Sequence, residues 1–285
     1  TSVVIPDSVT SIGNSAFRNA TSLSSVTFGS SVQSIGSEAF RGTNLTSLTI
    51  PSTVTSISAG AFKGLSALTS VVIPDSVTSI GASAFEHTGL TSLTLGSSLT
   101  HIYDNAFSGT SLTSLTIPDS VIYIGSFAFA EVPLQTLVVG SGLSGKSAVQ
   151  YEAFLNVCKT LRSVSIDSPG ALGRGSPYNG NPGRYLPYYR DDNNYVYINN
   201  LYDGLYFGEQ RDINWDSYSN GAQIGSAISK YACPVLETII LGDNVETVGN
   251  YAFRSTDFSS LTSLTLGSSV TSIGTDAFRN ATALT

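Results

Sequence analysis

The sequence predicts a β-rich solenoid of about ten stacked coils, each 22–25 residues long. Three observations point there. The phrase IPDSVTSIGNSAF at Ile5–Phe17 returns as IPDSVTSIGASAF at Ile73–Phe85. The pair Ala-Phe recurs with its Phe at 17, 40, 62, 85, 107, 129 and 154, then at 253 and 278. The apolar positions between these marks fall two to four residues apart, without the sustained 3.6-residue rhythm of a helix.

The full phrase is L-x-x-L-x-I-P-x-S-V-x-x-I-G-x-x-A-F. Leu45, Leu48, Ile50, Val54, Ile57, Ala61 and Phe62 spell one copy, and Leu112, Leu115, Ile117, Val121, Ile124, Ala128 and Phe129 another. Leu48 and Ile50 alternate with Ser47 and Thr49, the pattern of a short half-buried strand. Pro51 ends it, because proline has no N–H for further pairing. Gly36, Gly81, Gly125 and Gly274 share one slot, where a turn with special backbone angles is expected. A unit this short cannot bury its own apolar face, but stacked copies can. Ile5, Val9, Ile12, Ala16 and Phe17 are therefore expected in the core.

This wording and period resemble the leucine-rich repeats of the BspA-like type. The resemblance spans about 230 of the 285 residues. It implies a right-handed solenoid with strands on the concave side, in a cell-surface or secreted protein used for adhesion or protein binding. It carries over no catalytic residue and no cofactor.

The rhythm fails between Phe154 and Phe253. Leu161, Val164 and Ile166 still begin a repeat, and Leu236, Ile239 and Leu241 begin another. Ile166 reaches its Val slot only at Gly221, 55 residues on instead of four. One repeat thus hosts an insert. The chain divides into repeats at 1–166, an insert at 167–220 and repeats again at 221–285, all within one solenoid. Val164 and Ile239 should then be neighbours in adjoining coils. Since the chain opens in mid-phrase at TSVVIP and stops at NATALT, it is expected to be a stretch of a longer array.

The insert holds nine of the 14 Tyr and the only Trp. Its first part is rich in turn residues; NNYVYINNLYDGLYFGEQ reads as two strands around an Asp-Gly turn. Tyr197, Tyr202 and Tyr206 alternate as core residues of a small lobe do. Tyr188, Tyr189, Tyr195, Trp215 and Tyr218 sit beside charged or turn residues and are the expected ligand-binding set, because Tyr and Trp give large contact area at low entropic cost. A secondary binding surface is the Ser-x-Thr column formed by Ser47 and Thr49, Ser92 and Thr94, and Ser114 and Thr116. A flat hydroxyl lattice of this kind could bind ice, but Val72, Val138 and Ile240 interrupt it, and β-favouring residues on a neutral face explain it as well.

Cys158 lies three residues before Leu161, and Cys233 three before Leu236. With the insert set aside they occupy one slot on consecutive coils, about 4.8 Å apart, within reach of a disulfide. A Cys158–Cys233 bond would close the insert at its base and suits an oxidising compartment. Thiol titration of the denatured, unreduced protein should find no free thiol; two reactive thiols would exclude the bond.

Charged residues make up only 12% of the chain and the net charge is −7. Nucleic acid and anionic membranes need clustered positive charge, so neither is an expected partner. No 18-residue apolar run suggests membrane insertion. The two histidines, His87 and His101, lack ligand-spaced companions and read as surface turn residues. Asp191, Asp192, Asn193 and Asn194 offer oxygens without the alternating spacing of a calcium loop. No nucleophile-elbow motif occurs. The expected function is non-catalytic recognition of a protein or glycan at a cell surface, with no metal or cofactor; a structural spacer is the alternative.

Overall fold

The structure, a computed structural model, describes residues 1–143, 149–150, 153–154, 157–167, 235–248, 259–273, 278 and 281–285. Each coil is built from sides that bond to the coil above. The first side carries β1 (Ser2–Val4), β3 (Ser25–Thr27), β6 (Ser70–Val72), β8 (Ser92–Thr94), β10 (Ser114–Ile117), β12 (Thr136–Val139), β13 (Ser163–Ile166), β14 (Thr238–Leu241) and β16 (Ser263–Leu266). The second carries the two-residue strands β2 (Ser11–Ile12), β4 (Ser34–Ile35), β5 (Ser56–Ile57), β7 (Ser79–Ile80), β9 (His101–Ile102), β11 (Tyr123–Ile124), β15 (Thr247–Val248) and β17 (Ser272–Ile273). These strands pair in parallel, one coil with the next. Among the described residues the only helical element is a 3-10 turn at Val157–Lys159.

The Ala-Phe side explains why that pair serves as a ruler. The Phe N–H of one coil donates to the Ala carbonyl of the next: Phe40 to Ala61 at 2.8 Å, Phe62 to Ala84 at 2.9 Å and Phe85 to Ala106 at 2.8 Å. Ala39, Ala61, Ala84 and Ala106 are fully buried, and so are the Phe rings beside them. Phe17, Phe40, Phe62, Phe85, Phe107, Phe129 and Phe154 form one continuous stack with centroids 5.0–5.7 Å apart. Each ring from Phe40 to Phe129 thus gains stacking on both faces in addition to its burial. Thr43, Thr88 and Thr110, buried beside the stack, satisfy their hydroxyls by donating to the carbonyls of Phe40, Phe85 and Phe107, each at 2.9 Å.

Three expectations need correction. In the first coil Ile5 and Ile12 are buried, but Val9 and Phe17 are only half-buried and Ala16 is exposed. Among the described residues none packs against the outer side of this coil. At Ser47–Ile50 burial alternates as expected, yet no strand forms. The first side accordingly splits into β1-β3, β6-β8 and β10-β12-β13-β14-β16. The second side, for which the sequence names no strand, forms parallel ladders of its own, β11-β9-β7-β5-β4-β2 and β15-β17. Finally, while Gly274 lies outside the described residues, the left-handed backbone does not fall at Gly36, Gly81 or Gly125. It falls two residues later, at Ser15, Glu38, Gly60, Ser83, Asn105 and Phe127, and again at Asn19, Gly42, Gly64, His87, Gly109 and Glu131. At Gly36 and Gly81 the constraint is that the coils touch: a Cβ on Gly36 would lie 2.6 Å from the Asn14 nitrogen, and one on Gly81 2.7 Å from the Ala59 nitrogen.

The stack keeps its register through the long excursion. β13 pairs with β14, placing Val164 beside Ile239 and Ile166 beside Leu241. Arg162 and Glu237 form an ion pair across the same step. Val164, Ile166, Ile239 and Leu241 are all buried. Asp167, counted with the insert on sequence grounds, bonds as a residue of the solenoid: its carboxylate accepts from the Asn244 N–H at 3.2 Å and the Asn244 amide at 3.1 Å.

Candidate functional site

Tyr188, Tyr189, Tyr195, Trp215, Tyr218 and Cys233 lie outside the described residues, as does the side chain of Cys158. The secondary surface is on view. Ser47, Thr49, Ser92, Thr94, Ser114 and Thr116 are all exposed on the first side. The structure does not unite them in one ladder. Ser92 and Thr94 pair with Ser70 and Val72 in one sheet. Ser114 and Thr116 pair with Thr136 and Val138 in another, and Ser47 and Thr49 belong to neither. Val4, Val72 and Ile240 stand exposed in the Thr column.

What joins consecutive coils at the turn after the first side is a carboxylate cap. Asp7 Oδ1 accepts from the Ser30 N–H at 2.7 Å and its hydroxyl at 3.0 Å. Asp75 does the same for Ser97 at 2.6 and 3.0 Å, and Asp243 for Ser268 at 2.6 and 2.9 Å. Asp119 accepts from the Ser141 N–H at 2.7 Å. A second set follows the second side, where Asn14 caps the Ser37 N–H and Asp104 the Ser126 N–H, both at 2.8 Å. Behind each of these caps the upper coil presents Gly-Ser, so that its backbone can close on the lower one.

The backbone N–H first, and then the hydroxyl, hold the carboxyls of Asp7, Asp75 and Asp243 below the usual carboxylate range. A folded-state pKa lowered in this way stabilises the fold above the unfolded value, about 3.9. The contribution disappears as pH falls through the folded value. Thermal stability should therefore hold on moving from pH 7 to 5 and decline below about pH 4. Replacing the three by Asn keeps an acceptor oxygen and removes the titration. Melting temperatures from pH 7 to 2 should fall less steeply in that variant than in the native chain. Equal slopes would dismiss the caps as the origin.

Elsewhere among the described residues several charges are paired. Arg18 and Arg41 meet Glu38, and Lys63 meets Glu86 at 2.6 Å. Burial raises the Glu86 carboxyl, but bonds from Lys63 and Ser83 outweigh it and leave it lowered. His87 lies in a left-handed turn as expected; His101 does not, being part of β9. There its ring joins Tyr103 and Tyr123, with centroids 5.9 and 5.7 Å away. Sequence reasoning passed over this trio. The available signal was departure from the repeat, since His101 and Tyr123 stand where other coils have Ser11, Ser34, Ser56 and Ser79. No group of three or more metal-ligating side chains occurs among the described residues, and none of their helices is long and apolar enough to cross a membrane.

Parallel strands repeating once per coil, over a continuous aromatic core, define a leucine-rich-repeat solenoid. The chain belongs to the family described as BspA type Leucine rich repeat region, which it matches over residues 1–111, 100–172 and 221–285 in six copies. No curated protein matches it. Among solved structures it is similar to a leucine rich cell surface protein from Faecalibacterium prausnitzii, at 24% identity over 93% of this chain and 79% of that one, TM-score 0.49. A leucine-rich repeat protein from Bacteroides ovatus is 21% identical over 99% of this chain and 73% of that one, TM-score 0.38. The pneumococcal vaccine antigen PcpA is 19% identical over 99% and 60%, TM-score 0.38.

Proposed function

We propose that this chain is a non-catalytic recognition module of a cell-surface or secreted protein, binding a protein or glycan on a host, prey or neighbouring cell. Specificity lies in the Tyr/Trp-rich insert at 167–220, with the Ser/Thr column of the first side as a secondary surface. The observation that carries the reading is the unbroken register from β13 to β14. A stack that closes across the excursion does not need those residues to hold itself together. The family match likewise stops at 172 and resumes at 221. Residues that the pairing of β13 with β14 does not require, and that are rich in the side chains that dominate binding hot spots, are free to select a partner. Cys158 and Cys233 each precede their paired strand, β13 or β14, by five residues in the sequence, a spacing that supports a disulfide at the base of the insert.

Deleting 170–220 keeps the Asp167 cap and restores the four-residue step from Ile166 to the Val slot. The shortened chain should melt within a few degrees of the native one and lose binding to whole cells and to a glycan array. Binding that survives the deletion would move the site to Ser92, Thr94, Ser114 and Thr116. A spacer role, the second reading, predicts that neither chain binds. Ice binding is less favoured, because the first side breaks into separate sheets and exposes Val72 and Ile240.

A further inference from the structure

The second side repeats Ser-Ile coil after coil until it reaches β9 and β11. There the outward residue becomes His101 and then Tyr123, which are direct partners in the ladder. One slot further on, where Gly13, Gly36, Gly81 and Gly125 stand in other coils, this stretch has Tyr103. All three departures converge. Tyr103 and Tyr123 have centroids 5.7 Å apart at 51°, and His101 lies against both, at 21° to Tyr103 and 32° to Tyr123. The core does not ask for these rings, since Ser and Gly serve the same backbone elsewhere. Tyr103 remains 41% exposed, and Ile122 next to Tyr123 51% exposed.

The electrostatic setting is one-sided. From Gly64 to Gly145 there is no Lys or Arg, while Asp75, Glu86, Asp104, Asp119 and Glu131 all fall there. Asp104 follows Tyr103 directly and is exposed. Only one of its carboxylate oxygens is engaged by the Ser126 N–H, which leaves lone pairs open to a donor. Burial first, and the Asp104 charge second, raise the Tyr123 phenol above its ordinary value, so the carboxylate field reaches the ring cluster. A cation is attracted both to an aromatic face and to a neighbouring carboxylate. A guanidinium suits this surface better than an ammonium: it is planar, stacks on rings and gives up its hydration more readily.

We propose that His101, Tyr103, Tyr123 and Asp104 form a second recognition surface, separate from the insert, that takes an arginine side chain from a basic segment of a partner protein.

The test uses the full chain and fluorescein-labelled octapeptides of alternating arginine and glycine, or lysine and glycine. The arginine peptide should bind at least about threefold more tightly than the lysine peptide. Returning the trio to the residues of other coils, His101→Ser, Tyr103→Gly and Tyr123→Ser, should weaken it about tenfold or more with the melting temperature held. Asp104→Asn tests the charge without touching the fold, because Asn14 makes the same cap in the first coil; it should weaken binding severalfold. Equal affinity for the two peptides, or an arginine peptide indifferent to both variants, would overturn the proposal. So would a neutral oligosaccharide that binds through the trio while the arginine peptide does not.

Discussion

Phe85→Ala is expected to destabilise the solenoid by about 3–5 kcal/mol and to split its unfolding in two. The ring is fully buried. It stacks on Phe62 at 5.3 Å and on Phe107 at 5.4 Å. Truncation removes the transfer free energy of the side chain together with two ring contacts of about 0.5–1.5 kcal/mol each. The cavity cannot collapse, because the coils are held apart at fixed spacing by backbone bonds on either side, from Phe62 to Ala84 and from Phe85 to Ala106. In a stack where each coil touches only its neighbours, one weakened interface uncouples the parts above and below it. Calorimetry should resolve two transitions where the native chain shows one. Phe17→Ala is the control: that ring is half-buried at the open end of the stack, and its loss should cost less than half as much. A single transition with a loss near 1 kcal/mol would mean that the ring column is not what couples the coils.

Gly96→Ala should cost about 2–4 kcal/mol, although it adds one methyl group. That carbon would lie 2.6 Å from the Pro74 carbonyl oxygen and 2.8 Å from its carbonyl carbon, both backbone atoms that cannot swing aside. Relief requires the two coils to part. Parting them stretches the Ile73-to-Thr94 backbone bond of 2.9 Å and the Asp75 cap on Ser97. Gly13→Ala provides the contrast. In the first coil nothing lies within 4 Å of the added carbon, and the backbone there is not left-handed. Reduced freedom of the unfolded chain then makes the change neutral or stabilising, by up to about 1 kcal/mol. Denaturant titrations of the two variants should move in opposite directions; a shared direction would refute inter-coil contact as the reason for glycine.

The stacking of coils was legible because it is a matter of period. The Ala-Phe mark and the L-x-x-L-x-I run need no knowledge of distance, and phasing both flanks of the excursion was enough to pair Val164 with Ile239. The second sheet was not legible. Two residues such as Ser56-Ile57 are too few to show alternation, and their hydrogen bonds go to residues about 22 positions away. The same non-locality hid the purpose of Gly36 and Gly81, whose constraint is an atom in another coil rather than an angle of their own. The Ser/Thr column was legible residue by residue, since outward strand positions follow from alternation; its division between sheets was not. The ring trio required asking where the repeat fails to repeat.

The caps also give the array a sense of order. Copies as alike as those ending at Phe17 and Phe85 could in principle stack out of turn, or exchange between two chains. An aspartate such as Asp7 or Asp75 accepts from Ser30 or Ser97 on a following coil that offers Gly-Ser, whereas a following Pro-Asp coil would put a proline ring in the crowded glycine slot and a second carboxylate against the first. Each cap therefore favours a Gly-Ser coil over a Pro-Asp coil as its successor, which removes part of the mis-stacking open to a chain built of near-synonyms.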